Sequence, residues 1–342
     1  MNNFSEGYNI ENRRYTGSKA KLSEWILELI KKECSGEVFL DIFAGTGIIS
    51  AKASNYFRKL IINDFLYSNF IVYNAFFGME NWAKEKLKKI VEKYNKLNPK
   101  EINENYFSLN FGGKYFSYNN AKIIGYIREN IEQIKNQLSE KEYAILIASL
   151  VYSVDKLANT VGHYDAYRKK IPKENNFEFR LIKPIKTDAI IFRKDSNELA
   201  KEITADVVYI DPPYNSRQYS RFYHLLETLT KWDKPKLYGT ALKPFPENMS
   251  DYCRVKASKV FSDLIKDLKC KFIVVSYNNT YDSKSNSSKN KITLGEIENI
   301  LRKKGKTKIF KKNHKYFNSG KTSFDNHQEF IFITKVDKKW KI

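Results

Sequence analysis

The sequence predicts an α/β fold, a Rossmann-like mixed sheet interrupted by a largely helical insert. Short apolar runs rich in β-branched residues recur along the chain, as they do in buried strands. One run, 38–43, leads into a glycine turn and a helical pattern, which is typical of ligand-binding α/β folds. Another, 207–210, stops abruptly at two prolines, and between these two runs the pattern of 78–185 becomes helical.

Composition indicates a polyanionic partner. The 342 residues include 60 Lys and Arg against 39 Asp and Glu, a net charge of +21, and 23 Tyr and 23 Phe offer rings that stack on bases. Nucleic acid explains this better than a lysine-rich composition without functional meaning. No apolar run reaches about 18 residues and the N-terminus is polar, so we expect a cytoplasmic protein without membrane span or signal peptide. The scattered cysteines predict reduced thiols and no metal site.

The first elements are a basic loop at 13–19 and a helix at 21–32. The loop combines cations, a glycine and an aromatic ring, which suits a small charged ligand. The helix follows from apolar residues at helical spacing. A buried strand at 38–43 then runs into Gly45 and Gly47, and glycines in such a turn let the backbone approach a ligand closely.

A helix at 48–57 and a strand at 59–62 complete this unit. Asp64 follows the strand, close to where dinucleotide-binding folds place an acid for ribose hydroxyls. No third glycine follows the turn, as pyrophosphate binding would require, and this disfavours an NAD-dependent enzyme. Asp41, two residues before Phe43, suits an adenosyl ligand without phosphates, whose cationic amino-acid part the carboxylate would face.

The pattern of 78–185 predicts a separate, mostly helical domain that contacts DNA. Residues 1–77 and 186–342 are predicted to form the catalytic domain. The helices of 78–185 are predicted at 84–93, 121–137 and 141–157. The lysines of the first of these helices are better explained by a solvated face. The loop 159–170 is more indicative, because it combines amide, aromatic and basic side chains.

The C-terminal part returns to the sheet. Further strands are predicted at 189–192, 207–210, 272–278, 307–316 and 330–336, the last two as an antiparallel hairpin. Further helices are predicted at 220–232, 260–268 and 293–303. The last helix begins at Thr293, with Glu296 three residues on to complete a capping box.

Asp211-Pro212-Pro213-Tyr214 is the motif that carries chemistry. Prolines cannot extend a central strand, so a carboxylate, free carbonyls and a ring lie at the strand's carboxyl end, where α/β sheets bind ligands. Asp211 and the Pro212 carbonyl can each accept a hydrogen bond from an exocyclic amine, while Tyr214 stacks on the attached ring. Such acceptors favour a nitrogen with an available lone pair. The alternative is a strand-to-turn corner with a solvated aspartate.

The order of these motifs resembles the Dam-like (alpha-class) DNA N6-adenine methyltransferases of bacterial restriction-modification systems. The resemblance covers nearly the whole chain. It is carried by RRYTGSK at 13–19, DIFAGTG at 41–47, NDF at 63–65, an acid at Asp195, and DPPYNSRQYSRFYHLLE from residue 211. The extended last motif is far more specific than its first four residues.

The resemblance implies a Rossmann-like S-adenosylmethionine-dependent methyltransferase fold. It implies methylation of an adenine flipped out of double-stranded DNA, without a metal. It leaves open whether a cognate restriction endonuclease is the functional partner or the chain is a solitary regulatory methyltransferase. It assigns cofactor binding to Tyr15, Lys19, Asp41, Phe43, Gly45, Gly47, Asp64 and Asp195. It assigns the target amine and base to Asp211, Pro212, Pro213 and Tyr214, and target recognition to 78–185.

Several alternatives stay open on the sequence alone. An N4-cytosine DNA methyltransferase shares the fold and the amine chemistry, although Asp at position 211 favours adenine. An RNA or protein methyltransferase also carries this kind of motif. A catalytically inactive nucleic-acid-binding module is the alternative from another class, and the intact glycine turn and proline motif disfavour it.

Overall fold

A mixed sheet of seven strands organises half of the residues that the computed structural model describes, which are 7–170, 172–280, 289–313 and 327–340. The strands are β1 Val38–Asp41, β2 Lys59–Asn63, β3 Asp188–Phe192, β4 Val207–Ile210, β5 Phe272–Asn278, β6 Gly305–Asn313 and β7 Gln328–Val336. Their order across the sheet is β3-β2-β1-β4-β5-β7-β6, with β7 antiparallel to both its neighbours and the rest parallel. The predicted mixed sheet with an antiparallel hairpin is confirmed.

Twelve helices accompany the sheet in the described part of the chain. They are α1 Ser23–Glu33, α2 Ile48–Ala53, α3 Tyr67–Phe76, α4 Lys84–Tyr94, α5 Tyr106–Phe111, α6 Tyr118–Gln133, α7 Glu140–Leu157, α8 Ser196–Glu202, α9 Tyr219–Phe222, α10 His224–Lys231, α11 Ala257–Asp267 and α12 Leu294–Lys304. None of these helices is long and apolar enough to cross a membrane. The predicted cap of α12 is confirmed, because Thr293 and Glu296 form a capping box.

The chain folds into two units, each drawn from separate stretches. The sheet unit comprises described residues within 19–66, 187–219 and 248–342, and the helical unit those within 1–18, 67–186 and 220–247. The helical unit therefore contains the segment 78–185 together with 67–77 and 220–247. These boundaries differ from the predicted division, and the role of 78–185 in target recognition stays a prediction.

The two faces of the sheet differ in chemistry near the centre. One face buries apolar side chains such as Leu40, Val208 and Val275 against α11, through Phe261 and Leu264. Side chains alternate between faces along a strand, so the residues between these apolar ones point the other way. The opposite face is where polar residues collect at the carboxyl ends of β1, β4 and β5.

The helical unit is built around α7, which is buried along most of its length and packs on α3, α6 and α10. A helix that is apolar on all sides belongs in a core. Arg128 on α6 is fully buried and satisfies the last carbonyls of α10. Its guanidinium donates to the carbonyl oxygens of Leu229, at 2.8 Å, and Thr230, at 3.2 Å.

Some predicted boundaries were wrong. The helix predicted at 220–232 is broken at Tyr223 into α9 and α10, and the strand predicted at 38–43 ends at Asp41. The helix predicted at 48–57 already ends at Ala53. Residues 314–316 of the strand predicted at 307–316 lie outside the described residues. Three helices, α3, α5 and α8, were not predicted.

Candidate active site

The turn after β1 has the backbone that its glycines allow. Gly45 and Gly47 have φ values of 54° and 76°, in the left-handed region that residues with a Cβ rarely adopt. Gly47 is the cap residue from which α2 begins. The amide of Gly45 donates to Asp64 Oδ2 at 2.9 Å, so the turn of β1 is tied to the end of β2. The amide of Leu66 donates to the other oxygen, Oδ1, also at 2.9 Å.

Asp41 is a buried carboxylate with one oxygen to spare. It is 1% exposed and its Oδ2 accepts a hydrogen bond of 2.7 Å from the Ser50 hydroxyl. Its Oδ1 is buried without a hydrogen-bond partner among the described residues. Burial raises the pKa of Asp41 to about 7, although the bond from Ser50 opposes the shift. A cationic group of a ligand would supply the missing partner.

Phe43 packs against Tyr252, and Asp195 lies at the start of α8. The ring of Phe43 meets that of Tyr252 edge-on, with centroids 5.0 Å apart. The Tyr252 hydroxyl donates to Asn197 Oδ1 at 2.9 Å. Asp195 caps α8, because its Oδ1 accepts from the amides of Asn197 and Glu198. The carboxylate is therefore fixed in place by the start of the helix.

The proline motif follows β4, which ends at Ile210 as the sequence predicts. Asp211 is 17% exposed and pairs with Lys19, whose Nζ lies 3.1 Å from Oδ1. The hydroxyl of Tyr214 donates to the same Oδ1, and Lys19 Nζ donates to that hydroxyl at 2.8 Å. All hydrogen bonds and ion pairs of Asp211 to described residues thus reach Oδ1, which leaves Oδ2 for a ligand.

Lys19 counteracts the cost of burying Asp211. Burial raises the pKa of the Asp211 carboxyl, and the Lys19 ammonium opposes that shift. The side chain of Tyr214 is itself positioned by two neighbouring residues. Its hydroxyl lies 3.3 Å from the carbonyl oxygen of Ser276, and its ring meets Tyr277 edge-on at 4.5 Å. Pro212 is buried and Pro213 half-buried, so the backbone of the motif is rigid.

Tyr15 belongs to the helical unit, whereas Lys19 opens the sheet unit. The ring of Tyr15 stacks on Tyr223, with centroids 4.4 Å apart and planes 3° apart. The amide of Thr16 donates to the Tyr223 hydroxyl at 2.7 Å, and Arg13 lies over the Tyr15 ring at 5.2 Å. The boundary between the two units therefore falls within the sequence of the predicted cofactor loop.

Sequence reasoning missed Glu329 on β7. This residue is 5% exposed and interacts electrostatically with Lys19 and Asp211. Because β7 runs antiparallel beside β5, Glu329 pairs with Asn278. Ser276, two residues before Asn278, lies on the same face and is also buried. The available signal was a charged residue directly before the apolar run of β7, and the predicted strand began at residue 330, just after Glu329.

Comparison with known families decides the class. The model of the D12 class N6 adenine-specific DNA methyltransferases matches residues 15–309. The chain belongs to this family. It is therefore a DNA methyltransferase, and the resemblance carried by its motifs is confirmed. The N4-cytosine, RNA, protein and inactive-module alternatives all give way to N6-adenine specificity.

Characterised relatives support the assignment over nearly the full length. The type II methyltransferase M.NlaIII of Neisseria lactamica is 31% identical over 92% of this chain and 95% of its own length. The type II methyltransferase M.CviAII of Paramecium bursaria Chlorella virus 1 is 31% identical over 95% of this chain and 98% of its own. The modification methylase StsI of Streptococcus sanguinis is 36% identical over 78% of this chain, which spans 44% of that longer protein.

The family membership gives the site its chemical task. A methyltransferase of this class attaches a methyl group to the exocyclic nitrogen of adenine, and a methyl donor must therefore bind beside the adenine. In the sheet unit, β1 and β4 are neighbours, and the glycine turn and the proline motif follow their carboxyl ends. One edge of the sheet, where ligands bind in α/β folds, thus carries both the glycine turn and the carbonyl and carboxylate oxygens of the proline motif.

Proposed function

We propose that this chain is the modification methyltransferase of a type II restriction-modification system. It transfers the methyl group of S-adenosylmethionine to N6 of an adenine flipped out of duplex DNA. The observation that carries the proposal is the arrangement of Asp211. Lys19 and Tyr214 hold one carboxylate oxygen, and the other is left to accept a hydrogen bond from an amine.

Asp41 fits the cofactor. S-adenosylmethionine carries an ammonium on its methionyl part, and the buried Oδ1 of Asp41 lacks a partner that such a group provides. The left-handed Gly45 and Gly47 allow the ligand to approach the backbone. We assign the ribose hydroxyls to Asp64, whose carboxylate is held beside the glycine turn by the Gly45 amide. Tyr15, Lys19, Phe43 and Asp195 complete the proposed cofactor set.

Asp211 and Pro212 bind and orient the target amine. Asp211 Oδ2 and the Pro212 carbonyl oxygen each accept one N–H of N6, which turns the nitrogen lone pair towards the incoming methyl group. S-adenosylmethionine supplies a methyl group activated by its positively charged sulfur. Tyr214 stacks on the flipped base, in a position already restricted by Asp211 and Tyr277. Much of the acceleration then comes from proximity and orientation.

The remaining parts of the proposal concern DNA and partners. The net charge of +21 favours phosphate contacts with double-stranded DNA. The helical segment 78–185 reads the target sequence. A restriction endonuclease of the same system is the functional partner, since three of the characterised relatives are named as type II or modification methylases.

Sequencing of methylated DNA tests this function. The chain is expressed in a host without DNA methylation, and its genomic DNA is sequenced by a single-molecule method that detects N6-methyladenine. We expect N6-methyladenine at one short motif. Modified cytosine, or unmodified DNA from a host that contains folded protein, would refute the proposal.

Asp211→Ala is the matched variant for this experiment. It removes the acceptor of the target amine and leaves the glycine turn intact, so methylation is expected to disappear while S-adenosylmethionine still binds. Calorimetry with the purified variant measures that binding. Undiminished methylation by this variant would show that Asp211 does not bind the amine.

A further inference from the structure

Three buried polar side chains meet at the carboxyl end of β5, those of Asn278, Thr280 and Asn290. The amide nitrogen of the Asn290 side chain donates to the Asn278 carbonyl oxygen at 2.8 Å and lies 3.0 Å from Asn278 Oδ1. The Thr280 hydroxyl lies 2.6 Å from Asn290 Oδ1 and 2.7 Å from Asn278 Oδ1, and its one proton serves one of them at a time. These contacts fasten Asn290 to the last residue of β5.

The segment 290–292 connects this cluster to Tyr214 of the proline motif. The amide of Lys291 donates to the Tyr214 carbonyl oxygen at 2.8 Å. The amide of Ile292 donates to the Tyr277 hydroxyl at 3.3 Å. Tyr277 is fully buried, and its ring is the one that meets the Tyr214 ring edge-on. Segment 290–292 therefore contacts the main chain of Tyr214 and also the residue that packs on its ring.

Tyr214 depends on such individual contacts because no regular element contains it. The two prolines precede it, and residues 215–218 form neither helix nor strand before α9 begins. The contacts of its hydroxyl hold only the far end of the side chain. The bond from Lys291 holds the main chain from which the ring extends. Position matters for a ring that orients a reacting base, since a displacement of about 1 Å can cost about a hundredfold in rate.

The cluster is suited to holding a segment in one position. Buried polar groups that are satisfied by one another specify a single arrangement, because a shift leaves them without partners. Asn290 uses both ends of its side chain in this way, the nitrogen towards Asn278 and the oxygen towards Thr280. An apolar side chain would fill the same space without fixing the distance between the segment and β5.

We propose that Asn290 is a positioning residue for methyl transfer, which holds segment 290–292 against β5 so that Tyr214 stays where it stacks on the target base. The inference rests on the proposed function and deepens it. Asn290 acts through Lys291 and Tyr214 and does not touch the substrate. Its effect on the rate should therefore depend on the presence of the Tyr214 ring.

A double-mutant cycle of Asn290→Ala and Tyr214→Ala tests this dependence. Single-turnover methylation of a duplex with the identified target is followed at saturating S-adenosylmethionine, with the enzyme in excess. We expect Asn290→Ala to lower the rate at least about tenfold, with the KM for S-adenosylmethionine within about twofold of the unsubstituted protein. In the Tyr214→Ala background the same substitution should change the rate by less than about twofold. Independent, multiplying effects would overturn the inference, and so would an undiminished rate in Tyr214→Ala.

Thr280→Val and Thr307→Val separate positioning from stability. Each replaces a buried threonine of the sheet unit by valine, which has the same shape and lacks the hydroxyl. Thr280 loses the group beside Asn290, and Thr307 loses one that lies 2.9 Å from the Thr334 hydroxyl on β7. Both should lower Tm, but only Thr280→Val should slow methylation, by at least about threefold. Equal rates in the two variants would contradict the proposal.

Hydrogen exchange provides a readout that does not need activity. The Lys291 amide is protected by its bond to the Tyr214 carbonyl oxygen. Its exchange in the free protein, measured by NMR, should be at least about tenfold faster in Asn290→Ala and unchanged in Thr307→Val. Full protection of this amide in Asn290→Ala would overturn the inference. Absence of adenine methylation by the unsubstituted protein is a distinct outcome, because it refutes the proposed function itself.

Discussion

Individual carboxylates of the sheet unit are held by quite different means. Asp64 is fixed by backbone amides, and Asp195 by the amides at the start of a helix. Asp211 is fixed by an ammonium and a phenol. Asp41 Oδ2 accepts from the Ser50 hydroxyl, whereas its Oδ1 is buried without a hydrogen-bond partner among the described residues, so a cation bound beside it would meet an unsatisfied oxygen.

Cofactor affinity should therefore rise with pH. In the free protein Asp41 is protonated below about pH 7, and the ammonium of S-adenosylmethionine favours its ionised form. We expect the Kd to increase by up to about tenfold for each pH unit below 7 and to level off above it. Calorimetric titrations in buffers of different ionisation enthalpy measure both the Kd and the proton released. A Kd that is constant from about pH 6 to about pH 8, or the same slope in Asp41→Asn, would contradict this assignment.

At the scale of elements, the sequence predicted the helices and strands whose ends are marked by residues with a clear chemical signal, such as prolines or a capping box. β4 lies where it was expected, because its apolar run is bounded by Pro212 and Pro213. The cap of α12 was likewise predicted correctly from Thr293 and Glu296. By contrast, α3 was missed, since its sequence YSNFIVYNAF is apolar on most sides and lacks a clear period.

Tertiary contacts explain why part of the site could not be predicted from the sequence. Glu329 gave only a weak local signal, because its pairing with Asn278 on β5 and its electrostatic interaction with Lys19 join residues that are distant in sequence. The pairing of Lys19 with Asp211 is likewise a contact between an N-terminal loop and the end of β4. By contrast, the glycine turn and the proline motif are local patterns whose chemistry is contained in a few consecutive residues.

The packing of α5 on α6 gives a prediction for stability. A Cβ at Gly125 on α6 would lie 2.0 Å from Asn105 Oδ1 and 2.9 Å from Phe107 Cβ. Asn105 caps α5, accepting from the Ser108 amide at 3.0 Å. Gly125→Ala should therefore destabilise the protein by about 1–3 kcal/mol and lower Tm, although alanine favours helices.

The control is Gly295→Ala in α12, where a Cβ meets no atom within 4 Å. This substitution should leave Tm unchanged or raise it slightly, because alanine has the higher helix propensity. Scanning calorimetry of both variants measures the difference. Equal Tm values for the two variants would show that α5 does not limit the space around Gly125.

On the scale of the whole molecule, the two proposed ligands, DNA and cofactor, depend on charges of opposite sign. The excess of 21 positive charges favours DNA, whose phosphates release counterions when lysine and arginine bind. We propose that the cofactor is recognised in a different way, through buried carboxylates such as Asp41. Salt screens exposed charges much more than buried ones, so the two binding steps should respond differently to ionic strength.

We expect duplex DNA binding to weaken steeply with salt. If at least six phosphates are contacted, the slope of log K against log salt should be about −5 or steeper. The Kd for S-adenosylmethionine should change by less than about threefold over the same range. Fluorescence anisotropy of a labelled duplex and calorimetry of the cofactor measure the two. A shallow slope for DNA would mean that the charge excess does not serve phosphate binding.

Because we propose that 78–185 reads the target sequence, the composition of the helical unit from described residues within 1–18, 67–186 and 220–247 limits how specificity can be exchanged between relatives. A graft of 78–185 alone would take α7 away from α3 and α10, the helices on which it packs. It would also leave α3, whose amides at Tyr67 and Ser68 donate to Glu227, in the recipient's sequence. Functional chimeras therefore require that all three stretches be transplanted together, as one cassette assembled from separate gene fragments.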